Sequence, residues 1–344
     1  MRDKLWVCLW GVALTLATFA SGLFSWFTPL PLFYIGRKYS IRFALVGWFL
    51  VIALTFVVYA FLLKAGGQSS RLDWFSWLPA MVYLKSFGAS VVIKALAVYF
   101  SFNISLSLLL TYFTQKESNV TRLVTKTALG TLIACALTFI ICIGPGNWQA
   151  FFALIHQYTL SVLDQILAFN RSAGSMSGEE LLYIQQNKEI IAEGFVKVLP
   201  SLAISAFIFL IWMNVYVARR LYSVFGFFDQ VQSLVLFKLS FFWVWAVIFS
   251  LALFLLNLYV LKLDLISSVL FNFLIVYATL YFFQGLAIVA YLLSLRQLAI
   301  WIRLLCYFLL IVFFQPLGIL VVGLGFFDAW YDFRKFNAPK GAST

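Results

Sequence analysis

Six polar side chains stand inside long apolar runs of this sequence: Lys94, Asn103, Asn214, Asn257, Asn272 and Gln284. An amide or ammonium group taken out of water is costly, so each must bond to a neighbour or serve a ligand. For the amides, hydrogen bonds between helices are the routine use. Lys94 stands near the start of its run, where it either reaches back to the interface or binds an anionic group. Tyr277, Tyr281, Gln284 and Tyr291 follow one another at spacings of four, three and seven, which places them on one helix face. That stripe reads two ways. It lines a pocket for a flat, polar ligand, or it is a packed face whose hydroxyls bond to neighbours. Gly285, beside it, lets a second backbone come close.

Three further groupings point to contact rather than catalysis. Ala13, Ala17 and Ser21 form a ladder of small residues four apart, which allows close helix packing within the molecule or against a partner protein. Asp328 and Asp332, four apart and followed by Arg334, have the pattern of a membrane-surface cap or an ion pair. GFFD at 226–229 recurs at 325–328, a coincidence in keeping with 39 phenylalanines. Enzyme signatures are missing. His156 is the single histidine, so a His-based triad, an H-E-x-x-H site and a di-histidine metal site are all excluded. No G-x-x-x-x-G-K-[ST] loop is present, so any energy used must come from an ion gradient or a partner ATPase. The expectation is a chain that is not an enzyme and has no catalytic residue, metal or cofactor.

The elements that carry these residues follow from composition. Of 344 residues, 64% are hydrophobic and 10% charged, against about half and a quarter in a soluble domain. The mean hydropathy is +1.00. Apolar runs lie at 5–36, 41–63, 86–113, 122–143, 196–218, 239–261, 265–293 and 303–327, each long enough to cross about 30 Å of hydrocarbon. Cys8, Cys135, Cys142 and Cys306 all fall inside such runs and behave as small hydrophobes. The expected fold is all-α: a polytopic integral membrane helix bundle of about eight or nine segments, with the first and last broken or re-entrant. The whole chain, 1–344, reads as one membrane domain.

The net charge of +12 sits at the ends of the apolar runs and forms no basic face, so it orients the chain and does not bind nucleic acid. The first run exceeds one crossing and is interrupted by Thr28-Pro29-Leu30-Pro31, so it reads as a helix with a short broken return. That return puts Arg2, Lys4, Arg37, Lys38, Arg42, Lys116, Arg122, Lys126, Arg219, Arg220, Arg296 and Arg303 on the cytoplasmic side. A hinge at Gln315-Pro316 in the last run brings Arg334, Lys335 and Lys340 to the same side, so both termini are read as cytoplasmic. The connection from 144 to 195 carries Asp164, Glu179, Glu180, Glu189 and Glu193 against Arg171 and Lys188, which suits the outside. It reads as an extracytoplasmic amphipathic hairpin, its second helix opened by the capping box Ser177-Gly178-Glu179-Glu180.

TPLPLFYIGRK at 28–38, LYFFQGLAIVAYLL at 280–293 and GLGFFDAWYDFRK at 323–335 resemble the YybS-like family of bacterial inner-membrane proteins, a domain of unknown function. That family is distantly similar to the substrate-binding S components of energy-coupling-factor transporters. This second resemblance implies a bound small solute, a separate ATPase module and an A-x-x-x-A partner face, for which Ala13 and Ala17 have the spacing. The functional expectation is a multi-pass protein of the cell inner membrane that binds or moves a solute. The alternative is a non-transporting scaffold in envelope assembly. Expected partners are the bilayer, a membrane protein or second copy, and a small molecule.

Overall fold

The computed structural model describes residues 2–65, 89–174, 176–296 and 299–334, so Lys335, Lys340 and the start of the 86–113 run lie outside the described residues. The described residues are mostly helical and joined by short turns, except that residues 223–241 form a longer connection with two 3-10 turns. In chain order the helices are α1 (Arg2–Ala20), α2 (Pro29–Lys38), α3 (Ile41–Ala65), α4 (Ala89–Lys116), α5 (Val120–Ile143) and α6 (Trp148–Ala173). They continue with α7 (Gly178–Gln186), α8 (Lys188–Tyr222), α9 (Phe242–Leu256), α10 (Asp264–Leu295), α11 (Ile300–Val312) and α12 (Phe314–Tyr331). Among the described residues, 7 helices are long and apolar enough to cross a membrane, and Lys4–Ala20 and Ile300–Val312 are shorter apolar helices. The seven are α3, α4, α5, α8, α9, α10 and α12. Only 17–33% of each apolar window is buried within the protein. So much uncovered apolar surface is stable only against lipid, and the polytopic helical bundle read from the sequence holds.

The chain forms two compact units, 1–142 with 207–238 and 143–206 with 239–344. In the first, the leading run does break. α1 ends at Ala20, a 3-10 turn spans Ser25–Phe27, and α2 returns for 10 residues, about 15 Å and so half a crossing. Pro29 and Pro31 sit in the first turn of α2, where a missing N–H costs nothing. α2 is buried along most of its length, at Leu30, Leu32, Phe33 and Ile35. A Cβ on Gly11 of α1 would lie 2.1 Å from Ile35 Cδ1, and one on Gly47 of α3 would lie 2.6 Å from Leu32. Glycine on both neighbours is therefore what lets the half-helix enter, and Cys8, Val12, Leu32, Ile35, Trp48, Val51 and Phe100 close around it as a core.

The second unit holds the connection and the last run. Ser177 Oγ accepts from Glu180 N, and the Glu180 carboxylate accepts from Ser177 N at 2.9 Å, so the capping box is formed. Lys188 Nζ reaches Asp164 Oδ1 at 2.6 Å and ties α8 back to α6. The final helix of the connection does not stop near 195: α8 starts at Lys188 and runs unbroken past Pro200 to Tyr222. The break in the last run falls at Phe313, just before Gln315-Pro316, because Pro316 is accommodated in the first turn of α12 and the turn precedes it.

The Ser177 backbone N–H, and then its hydroxyl, hold the Glu180 carboxyl below the usual carboxylate range. A depressed folded-state value stabilises the folded form above the unfolded value, and that stabilisation is lost as pH falls through the folded value. Hydrogen exchange across 178–186, corrected for its intrinsic pH dependence, should therefore quicken on acidification, and Glu180→Gln should remove most of that response.

Candidate functional site

Each break in a membrane helix frees backbone groups, and most of the intramembrane amides answer one of them. In a regular helix Ser201 N–H would bond to Lys197 C=O, but Pro200 disturbs that turn. Asn272 of α10 bridges the pair: Ser201 N donates to its Oδ1 at 2.9 Å, and its Nδ2 donates to Lys197 O at 2.8 Å. Asn257 closes the turn after α9 in the same way, with Nδ2 donating to Leu263 O at 3.0 Å and to Ser267 Oγ at 2.7 Å. Asn272→Leu would strand both backbone groups and should cost about 1–3 kcal/mol. Chemical denaturation in detergent checks this, and an unchanged midpoint would show that the bridge carries no load.

Gln284 is likewise committed. Its Oε1 accepts from Leu239 N at 2.9 Å and its Nε2 donates to Asp328 Oδ2 at 3.0 Å. Asp328 is fully buried within the protein, and the ion pair expected of it forms with Arg334. It accepts from Arg334 Nη2 at 2.6 Å and from Phe333 N at 3.1 Å. Arg334 is carried there by the left-handed turn at Asp332, φ 41°, which ends α12. Tyr291 Oη donates to Arg334 O at 3.1 Å and holds that turn from α10. Tyr281 is buried with its ring edge-on to Phe326, 5.3 Å between centroids, and its hydroxyl has no partner among the described residues. Tyr277 packs against Trp243 of α9, 5.9 Å away. The α10 stripe is thus divided, with Tyr281, Gln284 and Tyr291 engaged with α12 and its C-terminal turn, and Tyr277 with α9.

What closes that face is a pair of glycines. A Cβ on Gly285 would lie 1.9 Å from Val321 O, and one on Gly325 would lie 2.0 Å from Tyr281 O. Backbone meets backbone at these two positions.

The first unit contains a different arrangement. The turn between α1 and α2 and the first turn of α2 present carbonyls inside the bundle, and three side chains reach them. Tyr99 Oη donates to Ser25 O at 2.8 Å, Asn214 Nδ2 donates to Trp26 O at 2.8 Å, and Tyr222 Oη donates to Leu30 O at 3.3 Å. Thr28 Oγ1 stands 2.7 Å from Tyr99 Oη. Asn103, one helical turn along α4 from Tyr99, donates through Nδ2 to Tyr99 O at 2.8 Å. Asn103 is 1% exposed and Asn214 0%, yet the Oδ1 atom of each has no partner among the described residues.

The amide orientations are fixed, because carbonyl oxygens only accept and so require Nδ2 on their side. What is left over is two buried acceptor oxygens without a partner among the described residues, a costly condition in hydrocarbon. Thr127 and Thr131, on successive turns of α5, are also buried with hydroxyls that have no partner among the described residues. The sequence flagged the two asparagines. It gave no reason to join Asn103 to Tyr99, although their four-residue spacing was available as a signal.

The remaining candidates face outward. Lys94 is exposed on the first turns of α4, and Ala13, Ala17 and Ser21 are exposed on α1, whose buried side is instead Cys8, Val12 and Thr15. A groove of about 400 Å³ lies on the second unit between α6 and α8, lined by Phe152, His156, Gln157, Glu193 and Lys197. His156 Nε2 lies 3.4 Å from Glu189 at its edge.

Comparison with curated proteins and with solved structures finds no match. Comparison with protein families does: residues 77–329, from before α4 to near the end of α12, match one family, so Asn103, Asn214, Gln284 and Asp328 lie inside the match and the α1–α2 hairpin precedes it. The chain belongs to the family described as predicted membrane protein (DUF2232).

Proposed function

We propose that this membrane protein binds a small polar solute within the bilayer, against the broken α1–α2 hairpin, and acts as a solute-handling component of a transport system. The observation that supports the reading is the pair of buried, unpartnered carbonyl oxygens on Asn103 and Asn214 beside a discontinuous helix. Irregular backbone at membrane depth is tolerated where it lines a binding cavity, and discontinuous helices form the substrate and ion sites of many transporters. The unused groups are amide oxygens and hydroxyls, so the solute they favour is a hydrogen-bond donor such as an alcohol or an amine, or an alkali cation that oxygens coordinate. In this reading the protein sits in the inner membrane with the basic end of its first unit cytoplasmic, and the 144–195 hairpin lies outside.

A thermal-shift screen in lipid nanodiscs tests the proposal, using polyols, amines, amino acids and alkali chlorides on wild type and Asn103→Leu. A class that stabilises wild type and not the variant supports it; no stabilising class, or equal shifts in both, overturns it. The second reading, an envelope scaffold, rests on the exposed Ala13, Ala17 and Ser21 face of α1. A photocrosslinker at Ala17 that captures one stable envelope protein in cells would favour it.

A further inference from the structure

A second pocket, unrelated to the buried asparagines, opens at the opposite end of the α2 half-helix. It has a volume of about 290 Å³ and is lined by Arg37, Tyr39, Ser40, Thr111, Tyr112 and Gln115, with Gly36 and Ile41 completing the wall. Its chemistry is one-sided. Arg37 supplies a permanent cation, while Ser40, Tyr39, Tyr112 and Gln115 supply neutral donors. No lining residue is acidic. The nearest carboxylate in sequence, Glu117, is bonded to Lys126 and so withdrawn.

Arg37 is only partly satisfied. Its Nη2 reaches Phe227 O at 3.5 Å and its guanidinium stacks over the Phe227 ring at 5.5 Å, but its Nε is buried with no partner among the described residues. The Tyr112 hydroxyl accepts from Lys116 Nζ at 2.7 Å, which leaves its own proton free to donate. Lys38 and Arg42 flank the lining residues in sequence, so the surrounding field is positive. Gly36 is placed so that a Cβ there would lie 2.9 Å from Thr111 Oγ1, which keeps the α2 wall close against α4. A site with one guanidinium, several neutral donors and no acceptor of negative charge discriminates in favour of an anion carrying several oxygens. Its volume, at the small end for ligand pockets, suits a headgroup rather than a large metabolite.

We infer that the Arg37–Ser40–Gln115 pocket binds a phosphate group, carried either by the headgroup of an anionic phospholipid or by free inorganic phosphate. Basic pockets at membrane-helix ends are where anionic headgroups collect, and Arg37 supplies the specific contact while Lys38 and Arg42 supply attraction.

The test is native mass spectrometry of protein released from mixed nanodiscs of phosphatidylcholine and phosphatidylglycerol, with thermal stability in pure phosphatidylcholine discs with and without millimolar phosphate. Wild type should retain phosphatidylglycerol at least about tenfold above its share of the disc. Arg37→Gln and Gln115→Leu should each bring that ratio near one, whereas Lys94→Gln, an exposed cation elsewhere on α4, should not. Selective retention that these two variants abolish identifies the lipid as the source. A phosphate-dependent rise in melting temperature in phosphatidylcholine, lost in the same variants, identifies free phosphate. Gln115→Leu leaves the Arg37–Phe227 contacts in place, so it serves if Arg37→Gln fails to fold. Neither selective retention nor a phosphate shift, or effects equal in Lys94→Gln, overturns the inference.

Discussion

Asp328→Leu should destabilise the protein by about 3–5 kcal/mol, and the double variant Asp328→Leu/Arg334→Leu by distinctly less than the sum of the two single changes. The expectation follows from what the carboxylate leaves behind. Arg334, Phe333 N–H and Gln284 Nε2 all donate to it, and each loses that acceptor when it is removed. A buried cation without its partner costs more than a buried pair replaced by two apolar chains. Reversible unfolding in mixed micelles, followed by tryptophan fluorescence, gives the three values. Additivity would show that the pair is not a coupled unit.

Gly285→Ala should be nearly as damaging, about 3 kcal/mol or more, although it adds a single methyl group. The methyl would meet a carbonyl oxygen 1.9 Å away that belongs to the backbone of α12, so relief requires moving a whole helix rather than a rotamer. Gly325→Ala meets Tyr281 O at 2.0 Å from the other side and should behave alike. Gly323, on the same helix, has nothing within 4 Å of an added Cβ, so Gly323→Ala should be neutral or mildly stabilising through helix propensity. The contrast between positions 323 and 325 separates packing from propensity in one assay. Equal effects at both would show that α10 and α12 do not make backbone contact.

The helical membrane bundle was legible because lipid demands long uninterrupted apolar runs, and those survive as α3, α4, α5, α9 and α10 with only their ends adjusted. The broken first run was legible too, since prolines at 29 and 31 cannot continue a helix from Ala20 but can begin a new one. The start of α8 at Lys188 was not. Its first two turns are charged enough to read as surface connection, yet they extend a membrane helix, and Asn272 bridges the turn at Pro200.

The burial of Asp328 was also hidden. The sequence places it at the end of an apolar run, and only the turn at Asp332 and the glycine contact above it decide that the carboxylate points inward. The candidate site was half legible. Asn103 and Asn214 announce themselves as amides in hydrocarbon, but Asn214 Nδ2 is committed to a carbonyl of the α1–α2 turn 188 residues away in sequence, and Asn103 Nδ2 to Tyr99 O on its own helix. The same chemistry that flagged Asn272 and Gln284 turned out at those two positions to be bonded throughout.

The most direct measurement is an electron cryomicroscopy map of the protein in nanodiscs, supplied with the solute class that emerges from the thermal screen. The account predicts a broken α1–α2 hairpin with density for a bound species within hydrogen-bonding reach of Asn103 Oδ1 or Asn214 Oδ1. A continuous first helix, or both oxygens enclosed by apolar side chains with no density beside them, would contradict it.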